Sequence, residues 1–555
     1  MRIENVLSLA LFSLMLFLGT VIFAQPSIVW QKSLGGSNDD WAQSIQQTAD
    51  GGFIVAGMSE SNNGDISGNH GYSDYWIVKL NSSGSIVWQK CLGGSDWDCA
   101  YSIQQTFDGG FIVAGVSCSN DGDVSGNHGG CDCWIVKLDS YGNIVWQKCL
   151  GGSYWDGAYS IQQTLDGGFI VAGVSNSNDG DVSGNHGYAD YWVVKLNSSG
   201  DIEWQKCLGG SFWDYALSVQ QTSDGGYIVV GVSCSNNDDV SGNHGGSDYW
   251  IVKLDSYGNM VWQKCLGGSG YDIAYSVQQT TDGGFIVAGY SNSNDGDVSG
   301  NHGSSDYWVA RLNSSGNIIW QKCLGGSGYD IAHSIQQTTD GGFIVAGWSS
   351  SNDGDVIGHH PGGYWDYCEY DGPNYYGMRD SIWNEYSDYW LVKLNSAGSI
   401  VWQKCLGGSS WDRAYCVQQT FDGGFIVAGV SESNDGDVNV NYGDYDYWLV
   451  KLSPVGVIEN MIVPEQFAVS VFPNPFNSSC VIAAPSGAKI EIYDIKGNIV
   501  FTSYIHRSIS CQKKVGQQSI EQFIWTPNEN IPSGIYLVCA KVNDKISEKR
   551  VIYVK

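Results

Sequence analysis

One tripeptide, Trp-Gln-Lys, recurs seven times along this chain of 555 residues, with its Trp at positions 30, 88, 146, 204, 262, 320 and 402. The first five intervals are 58 residues each, and the last is longer by an insertion of 24 residues. Self-similarity at a fixed period of this size is typical of architectures in which each unit buries its apolar surface against its neighbours. The repeat therefore limits the possible folds more than any other feature of the sequence.

Each repeat contains four short apolar runs, which we label strands A to D. In the copy at residues 102–150, the runs SIQQT and FIVAG flank the residues Phe-Asp-Gly-Gly, a combination that predicts a β-hairpin. A loop at residues 116–132 follows, and then the runs CWIVKL and IVWQKCL, which are separated by a turn containing Gly142. Helical spacing of apolar residues is absent, so the pattern predicts an all-β chain.

The B run is apolar on both faces of its strand, so its sheet has to be covered on both sides. Seven such sheets can cover one another around an axis, which predicts a seven-bladed β-propeller of four-stranded antiparallel blades over residues 25–461. A linear β-solenoid is the alternative, although its coils are usually shorter and its strands parallel. The repeats begin with a D run at Ile28 and end with A, B and C runs, so we expect the first D strand to complete the last blade.

The long B–C and D–A loops of such a propeller share one face, where we expect ligand binding. Six D–A loops carry an aromatic residue, at Trp97, Trp155, Trp213, Tyr271, Tyr329 and Trp411. Asp39 replaces it in the first copy, and an Asp follows in all seven copies. These side chains can stack on sugars and bind their hydroxyls. In the alternative interpretation, the aromatics wedge between blades and the aspartates bind N–H groups of their own loops.

The B–C loops contain closely spaced carboxylates, which together with Asn and Gly suit a hard cation such as Ca²⁺. The pairs are Asp121 and Asp123, Asp179 and Asp181, Asp295 and Asp297, Asp353 and Asp355, and Asp435 and Asp437. Their spacing is not that of an EF-hand, and Asn, Asp and Gly also build turns. For the histidine of the repeated NHG motif in these loops, we expect a local role in the turn.

The insertion falls in the sixth B–C loop and breaks the symmetry of the repeat. It places His359, His360, Glu369, Asp371 and Arg379 among many Tyr and Trp residues. If one specific ligand exists, this loop is the best place for it. The alternative is an insertion without a function, which long loops tolerate.

The chain has 16 cysteines, and six of them occupy one repeat position, at Cys91, Cys149, Cys207, Cys265, Cys323 and Cys405. Equivalent positions of neighbouring blades are too far apart for a disulfide, so we expect small buried core residues. Cys118, Cys131 and Cys133 share one blade, and their pairing stays open. No CxxC pair suggests zinc.

The formal charge is −30, and the residues beyond 462 are slightly basic, so the repeats hold the acidic excess. Such a surface repels phosphate backbones and argues against nucleic acid as a partner.

At the N-terminus, Arg2 precedes an apolar run, and the small residue Ala24 ends it. This pattern predicts a signal peptide over residues 1–24, with an uncleaved membrane anchor as the alternative.

The repeat resembles the Gly/Asp/Trp-rich propeller repeats of secreted bacterial proteins, through its DGGFIVAG, WIVKL and WQKCLGG motifs. The tail, residues 464–555, has alternating runs with Gly turns that suggest a small Ig-like β-sandwich. Its motifs resemble the type A C-terminal sorting domain of the type IX secretion system, with flagellar-hook-type Ig-like modules as the alternative. The matching residues are Pro473, Asn474, Pro475, Asp494, Gly497, Gly534, Tyr536 and Lys549.

The resemblance of the tail implies export by the Sec route and passage across the outer membrane by the type IX machinery, then surface attachment or release. We therefore predict a monomeric, secreted or cell-surface binding or adhesion protein with a glycan or protein ligand. The alternative is an extracellular polysaccharide hydrolase or lyase. A catalyst needs an acid and a base in distinct environments, whereas near-identical blades supply the same residues seven times.

Overall fold

A computed structural model describes residues 25–360 and 386–455, and in the tail residues 470–472, 480–485, 488–494, 496, 498–504, 520–527, 531–542 and 545–553. The predicted signal peptide and most of the insertion lie outside these ranges. The described residues form strands and no helix, which confirms the all-β prediction.

The strands of the repeats keep the order that the sequence predicts, but the A and B strands are longer than the predicted runs: the SIQQ part of SIQQT lies in a strand of 8 residues and FIVAG in one of 7. In chain order they are β1 (Ile28–Leu34), β2 (Asp40–Gln47), β3 (Phe53–Ser59), β4 (Asp74–Leu80), β5 (Ile86–Leu92), β6 (Asp98–Gln105), β7 (Phe111–Ser117), β8 (Asp132–Leu138), β9 (Ile144–Leu150), β10 (Asp156–Gln163), β11 (Phe169–Ser175), β12 (Asp190–Leu196), β13 (Ile202–Leu208), β14 (Asp214–Gln221), β15 (Tyr227–Ser233), β16 (Asp248–Leu254), β17 (Met260–Leu266), β18 (Asp272–Gln279), β19 (Phe285–Ser291), β20 (Asp306–Leu312), β21 (Ile318–Leu324), β22 (Asp330–Gln337), β23 (Phe343–Ser349), β24 (Asp388–Leu394), β25 (Ile400–Leu406), β26 (Asp412–Gln419), β27 (Phe425–Ser431) and β28 (Asp446–Leu452).

Six of the seven repeat sheets are formed by consecutive strands, from β2-β3-β4-β5 to β22-β23-β24-β25, and all are antiparallel. The seventh has the order β1-β28-β27-β26, so the first strand of the chain completes the last sheet. Trp448 Nε1 donates to Gln31 Oε1 of this strand at 2.8 Å, and Trp134 makes the same bond to Gln147 within its own sheet. This confirms the prediction that the first D strand completes the last sheet.

The apolar B strands are buried on both faces because each contributes to two cores. Ile54 and Ala56 pack against the second sheet, whereas Phe53 and Val55 pack in the core that the first sheet shares with the last. The six cysteines of the repeat position are buried in these inter-sheet cores, as predicted.

The glycine that ends the repeated FIVAG run allows a close approach between strands. A Cβ on Gly115 would lie 2.0 Å from the Cys99 carbonyl oxygen and 2.7 Å from the Tyr75 hydroxyl of the preceding sheet. A larger residue would therefore push β7 away from the paired strand β6 and from Tyr75 of the preceding sheet.

The A strands are the innermost strands, and each contacts the A strands of both neighbouring sheets. These contacts form a closed circle, because β26 also contacts β2. The paired glutamines of the SIQQ motif connect the strands: Gln104 Oε1 accepts the backbone N–H of Gln163 at 2.6 Å, and Gln163 Oε1 accepts that of Phe107. Across the closure, Gln418 and Gln47 repeat the first of these bonds at 2.6 Å.

Each A strand contains a β-bulge where its pairing with the B strand shifts by one residue. The bulged residues are Gln43, Tyr101, Tyr159, Leu217, Tyr275, His333 and Tyr415. Rings of neighbouring copies meet here, at 5.0 Å for Tyr101 and Tyr159 and at 4.5 Å for Tyr275 and His333. We call this set the bulge belt.

The tail contributes two further antiparallel sheets, β29-β30-β33 and β32-β31-β34-β35. Their strands are β29 (Ser470–Phe472), β30 (Cys480–Pro485), β31 (Lys489–Asp494), β32 (Ile499–Tyr504), β33 (Ile520–Trp525), β34 (Gly534–Val542) and β35 (Lys545–Tyr553). They share a core that includes Ile490, Trp525 and Val538.

Candidate functional site

The D–A loop is held by the aspartate that begins each A strand. Asp98 is completely buried, and its Oδ2 accepts the N–H of Gly94 at 2.7 Å and the hydroxyl of Ser119 at 2.9 Å. Burial raises the pKa of Asp98 to about 6, although hydrogen bonds from Ser117, Gly94 and Ser119 oppose this shift. The aspartates after the aromatic position thus bind N–H groups of their own loops, as the alternative interpretation states.

The aspartate pairs of the B–C loops hold these loops against the D–A loops. Asp121 Oδ1 accepts the N–H of Ser95 at 2.7 Å, and the N–H of Asp123 donates to the Gly93 carbonyl at 2.9 Å. The same two contacts recur in the copies with Asp179 and Asp181, Asp295 and Asp297, Asp353 and Asp355, and Asp435 and Asp437.

A metal role for these pairs stays a prediction. Within the described residues, no three His, Cys, Asp or Glu side chains are arranged to hold a metal ion.

The histidine of each NHG motif binds the aspartate that begins the C strand. His128 Nδ1 lies 2.6 Å from Asp132 Oδ2, and its Nε2 lies 3.9 Å from Asp181 of the next sheet. His360 makes the equivalent contacts to Asp388 at 2.9 Å and to Asp437 at 4.0 Å, so it serves as the histidine of the sixth repeat.

Of the other predicted ligand-binding residues of the insertion, the structure describes only one. His359 Nε2 lies 3.3 Å from the Tyr386 carbonyl oxygen, whereas Glu369, Asp371 and Arg379 lie outside the described residues.

The aromatic residues of the D–A loops lie between neighbouring sheets. Isolated parallel bridges join Trp97 to Ser73 and Trp213 to Ala189, each in the preceding sheet. Trp213 also stacks on Tyr188 at 5.2 Å. The six residues Trp97, Trp155, Trp213, Tyr271, Tyr329 and Trp411 are half-buried or exposed, so their rings remain partly accessible from the long-loop face.

Tyrosines of the D–A and B–C loops, Tyr271 of the preceding set among them, are exposed to solvent. Tyr72, Tyr154, Tyr188, Tyr271 and Tyr442 each expose more than half of their surface. Because the loops beneath them are fixed by buried hydrogen bonds, the long-loop face presents aromatic side chains from a preorganised backbone.

The junction between the last and first sheets, which we call the closure junction, is distinct from the other six. Asp39 stands where the other copies have an aromatic residue, and Asp444 where they have Tyr, Gly or Ser. Glu60 and Glu432 share a position that is Cys, Asn or Ser elsewhere. Tyr445 replaces a small residue. The sequence analysis above did not predict this asymmetry, although an alignment of the repeats, position by position, shows these substitutions.

The carboxylates of the closure junction influence one another. Burial raises the pKa of Glu60 to about 7, and neighbouring carboxylates, Asp39 foremost, add to the shift. Burial also raises the pKa of Glu432, with Asp444 and Asp39 contributing. In the described part of the chain, no ion pair joins Glu60, Glu432 or Asp444 to a basic side chain.

Aromatic rings line the closure junction. The Tyr445 ring lies 5.4 Å from that of Trp41 at 64°, and 6.4 Å from that of Trp411 in a stacked arrangement. The backbone N–H of Tyr445 lies 3.4 Å from Asp39 Oδ1, which places the aromatic rings beside the carboxylates.

The bulge belt adjoins this junction. His333 lies between Tyr275 and Tyr415, at 4.5 and 4.9 Å. Burial lowers the pKa of His333 to about 3, with a further contribution from the charge of Arg413, so the imidazole is neutral at physiological pH. The Arg413 guanidinium lies 4.7 Å above the ring of Trp348.

The sorting-motif residues that the structure describes build turns and core. Asp494 Oδ1 accepts the N–H groups of Lys496 and Asn498 at 2.9 Å, and the buried Tyr536 donates its hydroxyl to the Pro532 carbonyl at 2.6 Å. Gly534 begins β34, and Lys549 is exposed on β35. The remaining motif residues, Pro473, Asn474, Pro475 and Gly497, lie outside the described residues.

Cys118 and Cys131 form a disulfide within the second repeat, with Cα atoms 4.0 Å apart, and Cys133 is a free, buried thiol. This resolves the pairing that the sequence left open. The bond ties the end of strand β7 to the start of strand β8 across the B–C loop.

Residues 470–555 match the model of the secretion system C-terminal sorting domain. This confirms the sorting domain and identifies the chain as a secreted or cell-surface protein that uses the type IX route. Within the described residues, no helix is long and apolar enough to cross a membrane.

Other similarities are distant. Regulatory protein FlaEY of Caulobacter vibrioides is 27% identical over 170 residues, which are 29% of this chain and 18% of that protein. The chain thus spans less than a fifth of this curated relative. Similar solved structures include BBS1N in complex with ARL6DN, with 8% identity, a TM-score of 0.40 and coverage of 78% of this chain and 98% of that chain. Puromycin hydrolase has 10% identity, a TM-score of 0.41 and coverage of 83% and 62%.

Proposed function

We propose that this protein is a secreted or cell-surface binding protein, built on a seven-bladed β-propeller, whose long-loop face binds glycans. Residues 1–24 are the signal peptide, and residues 25–461 form the propeller. The sorting domain, residues 464–555, adopts an Ig-like sandwich. The protein acts as a monomer at the outer-membrane surface or after release.

The circle of contacts among the innermost strands supports the seven-bladed ring. A linear solenoid would leave its first and last sheets apart, whereas Gln47 and Gln418 of these sheets are hydrogen bonded. The Tyr447 hydroxyl also donates to the Trp76 carbonyl at 2.9 Å, which repeats the bond from Tyr75 to Trp134 at an internal junction.

The observation that carries the binding function is the set of exposed tyrosines on the fixed long loops. Aromatic rings with a polar edge provide a large contact area and a hydroxyl at a low entropic cost, which suits ligands that are apolar on one side and polar on the other. Sugar rings have this character. The acidic charge of the repeats favours neutral or basic ligands over sulfated or phosphorylated ones.

A glycan array probed with the purified protein tests this proposal. We expect binding that Tyr188→Ala weakens, because Tyr188 stacks on Trp213 at the long-loop face. Tyr257→Ala is the matched control, since Tyr257 is also exposed but lies in a C–D turn on the opposite face. Equal loss in both variants, or no glycan bound, would refute the assignment of this face.

A second candidate function, hydrolysis or elimination on a polysaccharide, is favoured by the closure junction. A carboxyl group with a pKa of about 7, Glu60, lies beside acidic neighbours, as a general acid beside a base requires. Release of reducing ends from bound polysaccharide, abolished by Glu60→Gln, would establish this alternative.

A further inference from the structure

We propose that the sorting domain of this chain, residues 470–555, docks on the short-turn face of its own repeats, against an apolar arc formed by Phe421, Ala49, Phe107 and Leu165. The short-turn face carries the A–B and C–D turns and lies opposite the long-loop face. Docked there, the sorting domain leaves the long-loop face free for a ligand. The inference goes beyond the proposed glycan binding, because it assigns a partner to the other face.

The apolar arc follows four consecutive A–B turns, which adjoin the circle of A strands because the backbone N–H of each arc residue donates to a Gln side chain of the next A strand. The residue before the Asp of the turn is apolar in these four copies. The other three copies have Ser223, Thr281 and Thr339. Phe421, Leu165 and Phe107 expose 59%, 55% and 44% of their surface. Because exposed turns favour polar residues, neighbouring apolar side chains here indicate a contact surface.

The chain leaves the repeats on the same face. Strand β28 ends where the other copies have a C–D turn, and the N–H of Ser453 donates to the Ser27 carbonyl at 2.8 Å. A Cβ on Gly424, in the turn that carries Phe421, would lie 3.1 Å from the nitrogen of Pro454. The connection to the sorting domain therefore begins beside one end of the apolar arc.

The described start of this connection already covers apolar surface of the repeats. Val455 and Val401 pack against the core between the sixth and seventh sheets, which includes Trp402. Trp402 exposes only 4% of its surface, whereas the equivalent tryptophans of the other six copies are half-buried. Val401 is half-buried, whereas the equivalent Val87 exposes 59%. At this point the chain follows the surface of the repeats instead of extending into solvent.

The length of the connection allows the sorting domain to reach the apolar arc. Fourteen residues, 456–469, separate Val455 from Ser470, and a chain of that length spans at most about 46 Å. The four strands of one sheet, about 4.8 Å apart, cover only about 15 Å from the outer to the innermost strand. The arc is therefore within reach from the outer edge of the last sheet.

Charge favours the sorting domain over a second copy of the repeats as the occupant. Residues 25–462 have 16 Lys and Arg against 49 Asp and Glu, a net charge of −33, whereas residues 463–555 have 10 against 7, a net charge of +3. Opposite net charges attract the two parts, while two copies of the repeats repel each other.

The sorting domain has exposed apolar side chains of its own for this contact. Ile499 on β32 and Ile524 on β33 expose 53% and 63% of their surface. Each lies on an edge strand, one in each sheet of the domain. Burial of these side chains against Phe107 and Leu165 would remove apolar surface of both parts from water.

Small-angle X-ray scattering of the full-length protein tests the inference. For the wild type we expect a compact particle with the mass of one chain. The double variant Phe107→Ser with Leu165→Ser removes two side chains of the apolar arc. We expect its maximum dimension to increase by about 20 Å, the r.m.s. span of a flexible linker of fourteen residues. Both side chains are exposed, so its melting temperature should stay close to that of the wild type.

The matched control is Thr281→Ala with Thr339→Ala, which changes the same turn position outside the apolar arc and should scatter like the wild type. An extended wild-type particle, or a double variant as compact as the wild type, would overturn the inference. A wild-type particle with the mass of two chains that separates in the double variant would overturn it in favour of a second copy. The glycan array tests the long-loop face separately, so the proposed function does not depend on these results.

Discussion

Two aspartates of each repeat are completely buried, and their carboxyl groups hold protons more tightly than in an unfolded chain. Burial raises the pKa of each of these carboxyl groups, while hydrogen bonds from their own loops reduce the shift without cancelling it. In seven of them the shift is large: the pKa is raised to about 6 in Asp40, Asp98, Asp214 and Asp248 and to about 7 in Asp330, Asp412 and Asp446. The free energy of unfolding of the repeats should therefore fall as the pH rises toward neutral.

We predict that the repeats are more stable at pH 5 than at pH 8. An unfolded Asp has a pKa near 4, so between about pH 4 and pH 7 the folded state binds more protons, and the free energy of unfolding falls as pH rises. His333 acts in the opposite sense, since its pKa is lowered to about 3, but it is a single group. Calorimetry should give a melting temperature higher at pH 5 by about 5 °C or more.

The variant Asp446→Asn, which lacks one of the titrating groups, should show a smaller difference between the two pH values. A melting temperature that rises from pH 5 to pH 8 would contradict the assigned burial of these carboxylates.

Strand β1 completes the last sheet, and among the residues that the structure describes no other strand pairs with this edge of β28. We predict that deletion of Ile28–Leu34 exposes the outer edge of β28 and strongly lowers the melting temperature, since a buried sheet edge would lose its partner strand. Val29→Ser, on the exposed side of the same strand, is the control and should have little effect. An unchanged melting temperature after the deletion would show that β1 is dispensable.

The strands, their order and the pairing of β1 with the last sheet could be predicted from the sequence because the apolar pattern repeats with little variation. The bulge belt could not be predicted, because the shift of register at Tyr159 or His333, just before the SIQQ run, has no separate signal in the sequence. The role of Gln104 in connecting neighbouring A strands could not be predicted either, because it accepts the N–H of Gln163, which lies 59 positions away in the next sheet.

The closure junction was missed because the comparison of repeats emphasised what is shared. Asp39 and Glu60 belong to the first repeat, whereas Glu432 and Asp444 belong to the last. Their proximity depends on the ring bringing the first and last repeats together, which local patterns do not express.

The chain combines acidic repeats with a sorting domain. Under the proposed function, the repeats bind the ligand and the sorting domain delivers them to the cell surface. We predict that a chain truncated after residue 469 remains inside the outer membrane of a host with a type IX system. Labelling of intact cells with a protein-specific antibody measures surface display. Full-length chain with Lys549→Ala, an exposed position of the sorting domain, tests whether that motif residue is required. Surface display of the truncated chain would contradict the assigned route.

Closure of the ring is the claim on which the binding face and the closure junction both depend. Hydrogen–deuterium exchange tests it most directly, by comparing the peptide that covers Ile28–Leu34 with the one that covers Ile86–Leu92, the equivalent outer strand of the first sheet. A closed ring predicts similar protection of the two peptides, because both strands are paired with a C strand of their sheet. Rapid exchange of Ile28–Leu34 beside a protected Ile86–Leu92 would show that the ring is open.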